Sequence, residues 1–136
     1  MTRINIIQPQ ELQDQHLVAE YKEITRVVPA LEKSLNRKKP FNPEKEIPTK
    51  YKLGKGHVKF FYNKLLYVRK RYKLLVREML HRGMNPDPNR TFPDIEKFPA
   101  WCKNNWVPTL EEQNVAKARI QQKIEQKPEW YTKTTA

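Results

Sequence analysis

The chain has 136 residues, of which 38% are hydrophobic and 10% aromatic, and it carries a formal net charge of +12. This composition argues against a disordered chain and fits a single domain over residues 1–136. With no apolar run near the roughly 20 residues that span a bilayer, no signal-peptide pattern and a single cysteine, the protein is expected in the reducing cytoplasm, without membrane partner or internal disulfide.

The first predicted element is a helix over residues 12–36. Its apolar residues recur at alternating intervals of four and three positions, which places them within about 40° of one line. They are Leu17, Tyr21, Ile24, Val28, Leu31 and Leu35. Pro29 interrupts the pattern, so we expect a kink or a split of the helix. A polar row projects on the opposite side, made of Gln15, Lys22, Arg26 and Lys33, with His16 and Glu23 beside it.

Glu23 lies at the edge of this cationic row, and the residues alone leave two interpretations open. One is a surface ion pair with Arg26 at i,i+3 spacing, worth a few tenths of a kcal/mol. The other is a catalytic acid or base held in an electropositive cleft. Spacing alone favours the ion pair.

The second predicted helix covers residues 57–82 and has the same spacing of apolar residues. They are Val58, Phe61, Leu65, Val68, Tyr72, Leu75 and Met79. Gly83 follows directly and is suited to a left-handed C-cap. A third helix begins at Thr109, where Thr109 and Glu112 have the spacing of a capping box, and it ends before Pro128.

The connections over residues 37–56 and 84–108 are long and rich in proline, and long connections are often functional. No alternating apolar and polar pattern typical of a strand persists anywhere in the chain. The predicted fold is therefore all-α: a single compact domain of three main helices joined by long Pro-rich irregular segments.

The positive charge is concentrated, because residues 33–82 contain sixteen Lys and Arg against three Asp and Glu. Such a local excess favours a polyanionic partner, with nucleic acid as the leading candidate and a solvated charged face as the alternative. The three histidines are dispersed and no cluster has metal-ligand spacing, so no metal or other cofactor is expected. Four aromatic residues have the chemistry to stack on bases, although such residues more often belong to a core: Trp101, Trp106, Trp130 and Tyr131.

Four stretches of the sequence carry a family resemblance. They are MTRIN at 1–5, DQHLVAEYKE at 14–23, LGKGHVKFFYNKL at 53–65 followed by RKR at 69–71, and ARIQQKIEQKPEWY at 118–131. In this order they resemble the phage-type pyrimidine-dimer DNA glycosylase/AP lyase family, also called the UV-damage endonuclease V family. The combination spans nearly the whole chain and is specific, although each piece alone would be weak. That family is all-α.

The resemblance implies a DNA-repair enzyme that needs no cofactor. After removal of Met1, the α-amine of Thr2 would attack C1′ of the sugar that carries the 5′ base of a cyclobutane pyrimidine dimer and form a Schiff base. Glu23 matches the family's acidic catalytic residue, and β-elimination would then nick the strand. A free α-amine titrates near 7.7–8.0, so roughly a third is neutral at pH 7.5, and nearby cations such as Arg3 should lower its pKa further.

The resemblance also implies a DNA-binding surface, formed by Arg3, Gln15, His16, Lys22, Arg26, Arg119 and Lys123. Arg119 and Lys123 are four positions apart and therefore share a helix face. From the residues alone, a solvated basic edge is the alternative for these two. Lys22 replaces the family's usual Arg, which exchanges a bidentate phosphate clamp for a point charge. The tail over residues 130–136 is also shorter and less aromatic than in the family.

The expected partner is double-stranded DNA with UV damage or abasic sites, bound by a monomer in a bacterial or phage-infected cell. Phosphate contacts would position the duplex without reading its sequence. The dimer would be recognised because it makes a kink less costly, with the opposite adenine extruded as in the family. Two other functions remain open: a non-enzymatic DNA-binding protein on the same scaffold, and a glycosylase for a different damaged base.

Overall fold

The computed structural model describes residues 2–135. Within this range the elements are helical and no strand is formed. The α-helices are α1 Asp14–Glu23, α2 Val27–Leu35, α3 Pro43–Glu46, α4 His57–Phe60, α5 Leu65–His81 and α6 Leu110–Gln126, and the 3-10 segments are Pro9–Glu11, Ile24–Arg26 and Ala100–Cys102. The all-α prediction is confirmed. None of these helices is both long and apolar enough to cross a membrane.

The first predicted helix is present, and it is divided where the proline predicts. A 3-10 turn, Ile24–Arg26, joins α1 to α2. Pro29 has no N–H, so the carbonyl of Thr25 loses its helical donor and the chain tightens just before the proline. The helix begins at Asp14, two residues later than expected, because the 3-10 turn Pro9–Glu11 precedes it.

Arg90 reinforces this divided helix from the second Pro-rich connection. Its guanidinium donates to the carbonyl oxygens of Tyr21 and Lys22 at 2.6 and 3.0 Å, and to Oγ1 of Thr25 at 2.9 Å. A cation at the C-terminal end of a helix also interacts favourably with the helix dipole. The connection is thereby fastened to the end of α1 that carries Glu23.

The prediction of one continuous helix over residues 57–82 is wrong, because α4 ends at Phe60 and α5 begins at Leu65. Phe60, Phe61 and Tyr62 are all buried, with exposed fractions of 1, 0 and 4%. Successive helical residues point about 100° apart, so an unbroken helix would not bury three consecutive aromatic rings on one face. The turn between α4 and α5 buries all three.

The predicted helix ends are confirmed. Gly83 has a φ of +80°, and the N–H of Met84 donates to the carbonyl of Met79 at 2.9 Å, as in a Schellman motif. At the start of α6, Oγ1 of Thr109 accepts from the N–H of Glu112 at 3.1 Å, and Oε1 of Glu112 accepts from the N–H of Thr109 at 2.9 Å. These reciprocal bonds form the expected capping box.

Residues 2–7 form an extended segment, which we call the N-terminal arm, and it passes through the core. Ile4, Ile6 and Ile7 are at most 4% exposed and pack in one cluster with apolar side chains of α1, α2, α5 and α6. Ile6 has a φ of +46°, a region that β-branched residues rarely adopt. Such a conformation persists only where the surroundings impose it, so the arm is held by the helices packed around it.

Candidate active site

The start of the arm lies against the carboxylate of Glu23. The backbone N–H of Arg3 donates to Oε1 of Glu23 at 3.1 Å. Adjacent backbone nitrogens are about 3–4 Å apart, so the nitrogen of Thr2 lies within about 7 Å of that oxygen. The structure therefore brings together the two residues that the sequence proposed as a catalytic pair, which are 21 positions apart in the chain.

Three adjoining cavities surround this contact. The central cavity, of about 270 Å³, is lined by Arg3, His16, Glu23, Arg119 and Lys123 among others. The arm groove, of about 420 Å³, is lined by Thr2, Arg3, Arg26, His57, Lys59 and Arg119 among others. The outer groove, of about 490 Å³, is lined by Gln15, Lys22, Glu23, Arg26 and Trp130 among others. All nine site residues that the sequence proposed line one or more of these cavities.

The three cavities form one continuous surface because they share residues. Arg3 and Arg119 belong to both the central cavity and the arm groove. Arg26 joins the arm groove to the outer groove, and Glu23 joins the outer groove to the central cavity. Glu23 consequently lies at the junction of the outer groove and the central cavity, so a ligand long enough to span both would pass its carboxylate.

The surface is strongly cationic, because six Lys and Arg residues line it: Arg3, Lys22, Arg26, Lys59, Arg119 and Lys123. The ion pair that was the alternative interpretation of Glu23 is not formed: within residues 2–135 no ion pair joins Glu23 to Arg26. Residues 2–135 also contain no group of three or more His, Cys, Asp or Glu side chains placed to hold a metal ion.

His16 and Arg119 sit partly buried in the central cavity. Burial, reinforced by the charges of Arg119 and Arg3, lowers the pKa of His16, so its ring is predominantly neutral at pH 7. The ring stacks on Tyr131 with 4.7 Å between centroids. Burial and then the charge of Arg3 lower the pKa of Arg119, whose Nη2 donates to Oδ1 of Asn5 in the arm at 3.2 Å.

A buried ion pair supports the arm from beneath. Glu20 and Arg71 are 1% and 3% exposed, and Arg71 donates to both carboxylate oxygens of Glu20, at 2.8 and 3.0 Å. Glu20 also accepts from Nδ2 of Asn5 at 2.9 Å, and Arg71 donates to the carbonyl of Ile7. The pair thus holds the arm at two of its residues.

The sequence interpretation missed this ion pair, although the periodicity contained a signal for it. Glu20 is three positions after Leu17, and Arg71 is three positions after Val68, so both share a helix face with the apolar stripe. A charged residue on a core-facing position is almost never fully buried unless it is paired. Two such residues of opposite sign would have indicated a buried pair.

The C-terminal tail packs against the start of α1 and forms hydrogen bonds with Gln15, one of the proposed DNA-binding residues. Oε1 of Gln15 accepts from the N–H of Thr132 at 2.9 Å, and its Nε2 donates to Oγ1 of Thr132 at 3.2 Å. Oγ1 of Thr134 donates to Asp14 at 2.7 Å. Trp130 is 63% exposed at the outer groove, whereas Trp101 and Trp106 pack against the core.

Comparison with known families agrees with the sequence resemblance. A family model described as pyrimidine dimer DNA glycosylase matches residues 1–92. The match contains Thr2, Glu23 and five of the seven residues proposed to bind DNA, which are Arg3, Gln15, His16, Lys22 and Arg26. Arg119 and Lys123 lie beyond it, and α6 brings them to the same cavity as Glu23.

Proposed function

Because the chain belongs to the pyrimidine dimer DNA glycosylase family, we propose that it also nicks DNA as an AP lyase, with the amine of Thr2 as nucleophile and Glu23 as acid and base. The observation that carries this proposal is the hydrogen bond from the N–H of Arg3 to Glu23. It keeps a carboxylate next to the residue whose α-amine would attack. Removal of Met1 is required, since a peptide bond from Met1 would delocalise the lone pair of the Thr2 nitrogen into the carbonyl and make it non-nucleophilic.

The proposed reaction needs only these two groups and water. The neutral amine of Thr2 attacks C1′, the glycosidic bond breaks, and the departing pyrimidine takes up a proton from water. Glu23 accepts the proton that the attacking nitrogen loses and donates it to O4′ as the C1′–O4′ bond breaks, so the sugar ring opens and the nitrogen lone pair forms an iminium at C1′. The resulting iminium is stabilised by the adjacent carboxylate of Glu23. Glu23 then accepts the C2′ proton, the electron pair forms a C2′–C3′ double bond, and the 3′ C–O bond breaks to release phosphate. Water finally hydrolyses the Schiff base and frees the amine.

The proposed substrate is double-stranded DNA that contains UV dimers or abasic sites, bound by one copy of the chain. Six cations along the joined cavities suit a phosphate backbone, which they would position without reading sequence. Discrimination of damage would come from deformation, because a dimer weakens stacking and makes a kink less costly.

Borohydride trapping tests the proposal directly. Enzyme whose free Thr2 terminus is verified by mass spectrometry is mixed with a dimer-containing duplex, an abasic duplex and an intact duplex. We expect a covalent adduct on the first two, since borohydride reduces the Schiff base, and none on the third. The matched control is the same chain acetylated at Thr2, which should bind without forming an adduct.

Each other outcome of this experiment has a definite meaning. No adduct on either damaged duplex, with Met1 confirmed absent, would reject the amine mechanism. A non-enzymatic DNA-binding protein would then be indicated only if the glycosidic bond of the dimer also stayed intact. An adduct on abasic DNA alone would support the lyase step but indicate that a different base is removed. An adduct that persists after acetylation would assign the nucleophile to a lysine.

Lys123→Gln tests the DNA-binding surface. If Lys123 contacts one phosphate, the slope of log affinity against log salt should become shallower by about 0.9, because one fewer counterion is released. The loss should be equal on intact and damaged duplexes, since phosphate contacts carry no damage information. Equilibrium binding over a range of salt concentrations measures both quantities.

Lys70→Gln is the charge-matched control, because Lys70 lines a separate groove with Leu74 and Val107. It should leave the slope unchanged. Equal effects of the two substitutions would indicate that net charge matters and the proposed surface does not.

A further inference from the structure

We propose that His57 is a positioning residue for the reaction, because its ring holds the N-terminal arm where the amine of Thr2 meets Glu23. The inference builds on the proposed role of Thr2. His57 begins α4, far from Thr2 in sequence, and the sequence alone indicates no role for it. Its ring lines the arm groove beside Thr2 and Arg3.

The hydrogen bonds of His57 determine which ring nitrogen carries the proton. Nδ1 lies 2.8 Å from the carbonyl oxygen of Lys52, which only accepts, so Nδ1 is the donor. Nε2 lies 2.9 Å from the backbone nitrogen of Ile4, whose N–H donates, so Nε2 is the acceptor. Only the neutral ring with its proton on Nδ1 satisfies both contacts.

A second side chain close to His57 in sequence binds the backbone carbonyl of Ile4. The hydroxyl of Tyr51 donates to the carbonyl oxygen of Ile4 at 3.0 Å. Both polar groups of this fully buried residue are therefore bound by side chains from residues 51–57. A buried backbone group without a partner is strongly disfavoured, so the arm has little freedom at this point.

The surroundings of His57 favour the neutral ring. Burial has the largest influence and lowers the pKa of His57; the cations Arg119 and Arg3 act in the same direction, against the Lys52 carbonyl and Glu20. The rings of Tyr51 and Phe61 pack edge-on at 5.4 and 5.5 Å between centroids. A protonated ring would direct an N–H at the N–H of Ile4 and release the arm.

The effect on catalysis follows from the short path along the arm. Ile4 is held by His57, Arg3 is held by Glu23, and Thr2 comes next. Without the acceptor at His57, one of the anchors that keep residue 2 beside the carboxylate is lost. A displacement of about 1 Å at a reacting group is enough to slow a reaction by about 100-fold.

Two substitutions separate the acceptor from the shape of the ring. His57→Phe fills the same space but has no acceptor for Ile4, whereas His57→Gln has both an acceptor and a donor. We expect His57→Phe to slow borohydride adduct formation about 10- to 100-fold while duplex affinity stays unchanged, and His57→Gln to recover most of the rate. Amide exchange of Ile4 should be fast in His57→Phe and slow in His57→Gln.

The readouts distinguish this inference from the proposed function. Absence of an adduct in the natural chain would reject the amine mechanism, and slow exchange at Ile4 in His57→Phe would independently reject the role of His57. An adduct rate in His57→Phe equal to that of the natural chain would overturn the inference while the mechanism stands. Nitrogen NMR of the natural chain at pH 7 needs no variant: a proton on Nε2 would also overturn it.

Discussion

Strand cleavage is expected to fall by about 10²- to 10⁴-fold when Glu23 is replaced by glutamine, while a dimer-containing duplex remains bound. Glutamine keeps the shape and an oxygen that accepts from the N–H of Arg3, so the arm should stay in place. It lacks the charge that stabilises an iminium and the basicity that removes the C2′ proton. Affinity should be retained or rise, because a negative charge disappears from a surface that binds phosphate. Single-turnover cleavage and equilibrium binding measure the two quantities.

Glu32→Gln provides the control for this substitution. Glu32 lies on α2, is 44% exposed in its side chain and pairs with Lys97 away from the three cavities. It should leave cleavage unchanged. If Glu23→Gln cleaved at the natural rate, Glu23 would have no part in the chemistry. If Glu23→Gln instead lost both cleavage and duplex binding, the role of Glu23 would be to hold the arm.

The features of the fold that were predicted at the level of single residues depend on short-range chemistry. Thr109 and Glu112 satisfy each other across one helical turn, and Gly83 ends α5 through bonds to residues at most five positions away. Pro29 acts on a carbonyl four positions earlier. In each case the residue and its partner are close enough in the sequence for the pattern to be read directly.

The features that were missed depend on contacts across the chain. The helix predicted over residues 57–82 is broken because Phe60, Phe61 and Tyr62 are all buried in the core. The spacing of apolar residues along one helix face does not indicate this. The local pattern likewise favoured an ion pair for Glu23 with a neighbour on its own helix. A hydrogen bond from Arg3, 20 positions away, determines its surroundings instead. Family resemblance, and not periodicity, led to the proposal that Glu23 is catalytic.

Arg71→Met is expected to destabilise the protein by about 3–5 kcal/mol, because it leaves the carboxylate of Glu20 buried without its counter-ion. Glu20 is 1% exposed and would keep only the bond from Asn5, and the carbonyl of Ile7 would lose its donor. Methionine fills most of the space, so the loss reports charge and hydrogen bonding more than cavity formation. Urea denaturation at pH 7 measures it.

Arg69→Met is the matched control, since Arg69 precedes Arg71 by two residues and its side chain is 34% exposed. Its ion pair with Glu96 is long, at 3.8 Å. It should cost less than about 1 kcal/mol. Replacing both partners, Glu20→Leu with Arg71→Met, should restore much of the stability, because no buried charge then remains uncompensated. A loss near 1 kcal/mol in Arg71→Met alone would mean that water reaches Glu20. The ion pair would then be a solvated contact beneath the arm, and the position of Thr2 would depend on the other arm contacts, which are those of Glu23 to Arg3, of His57 and Tyr51 to Ile4, and of Arg119 to Asn5.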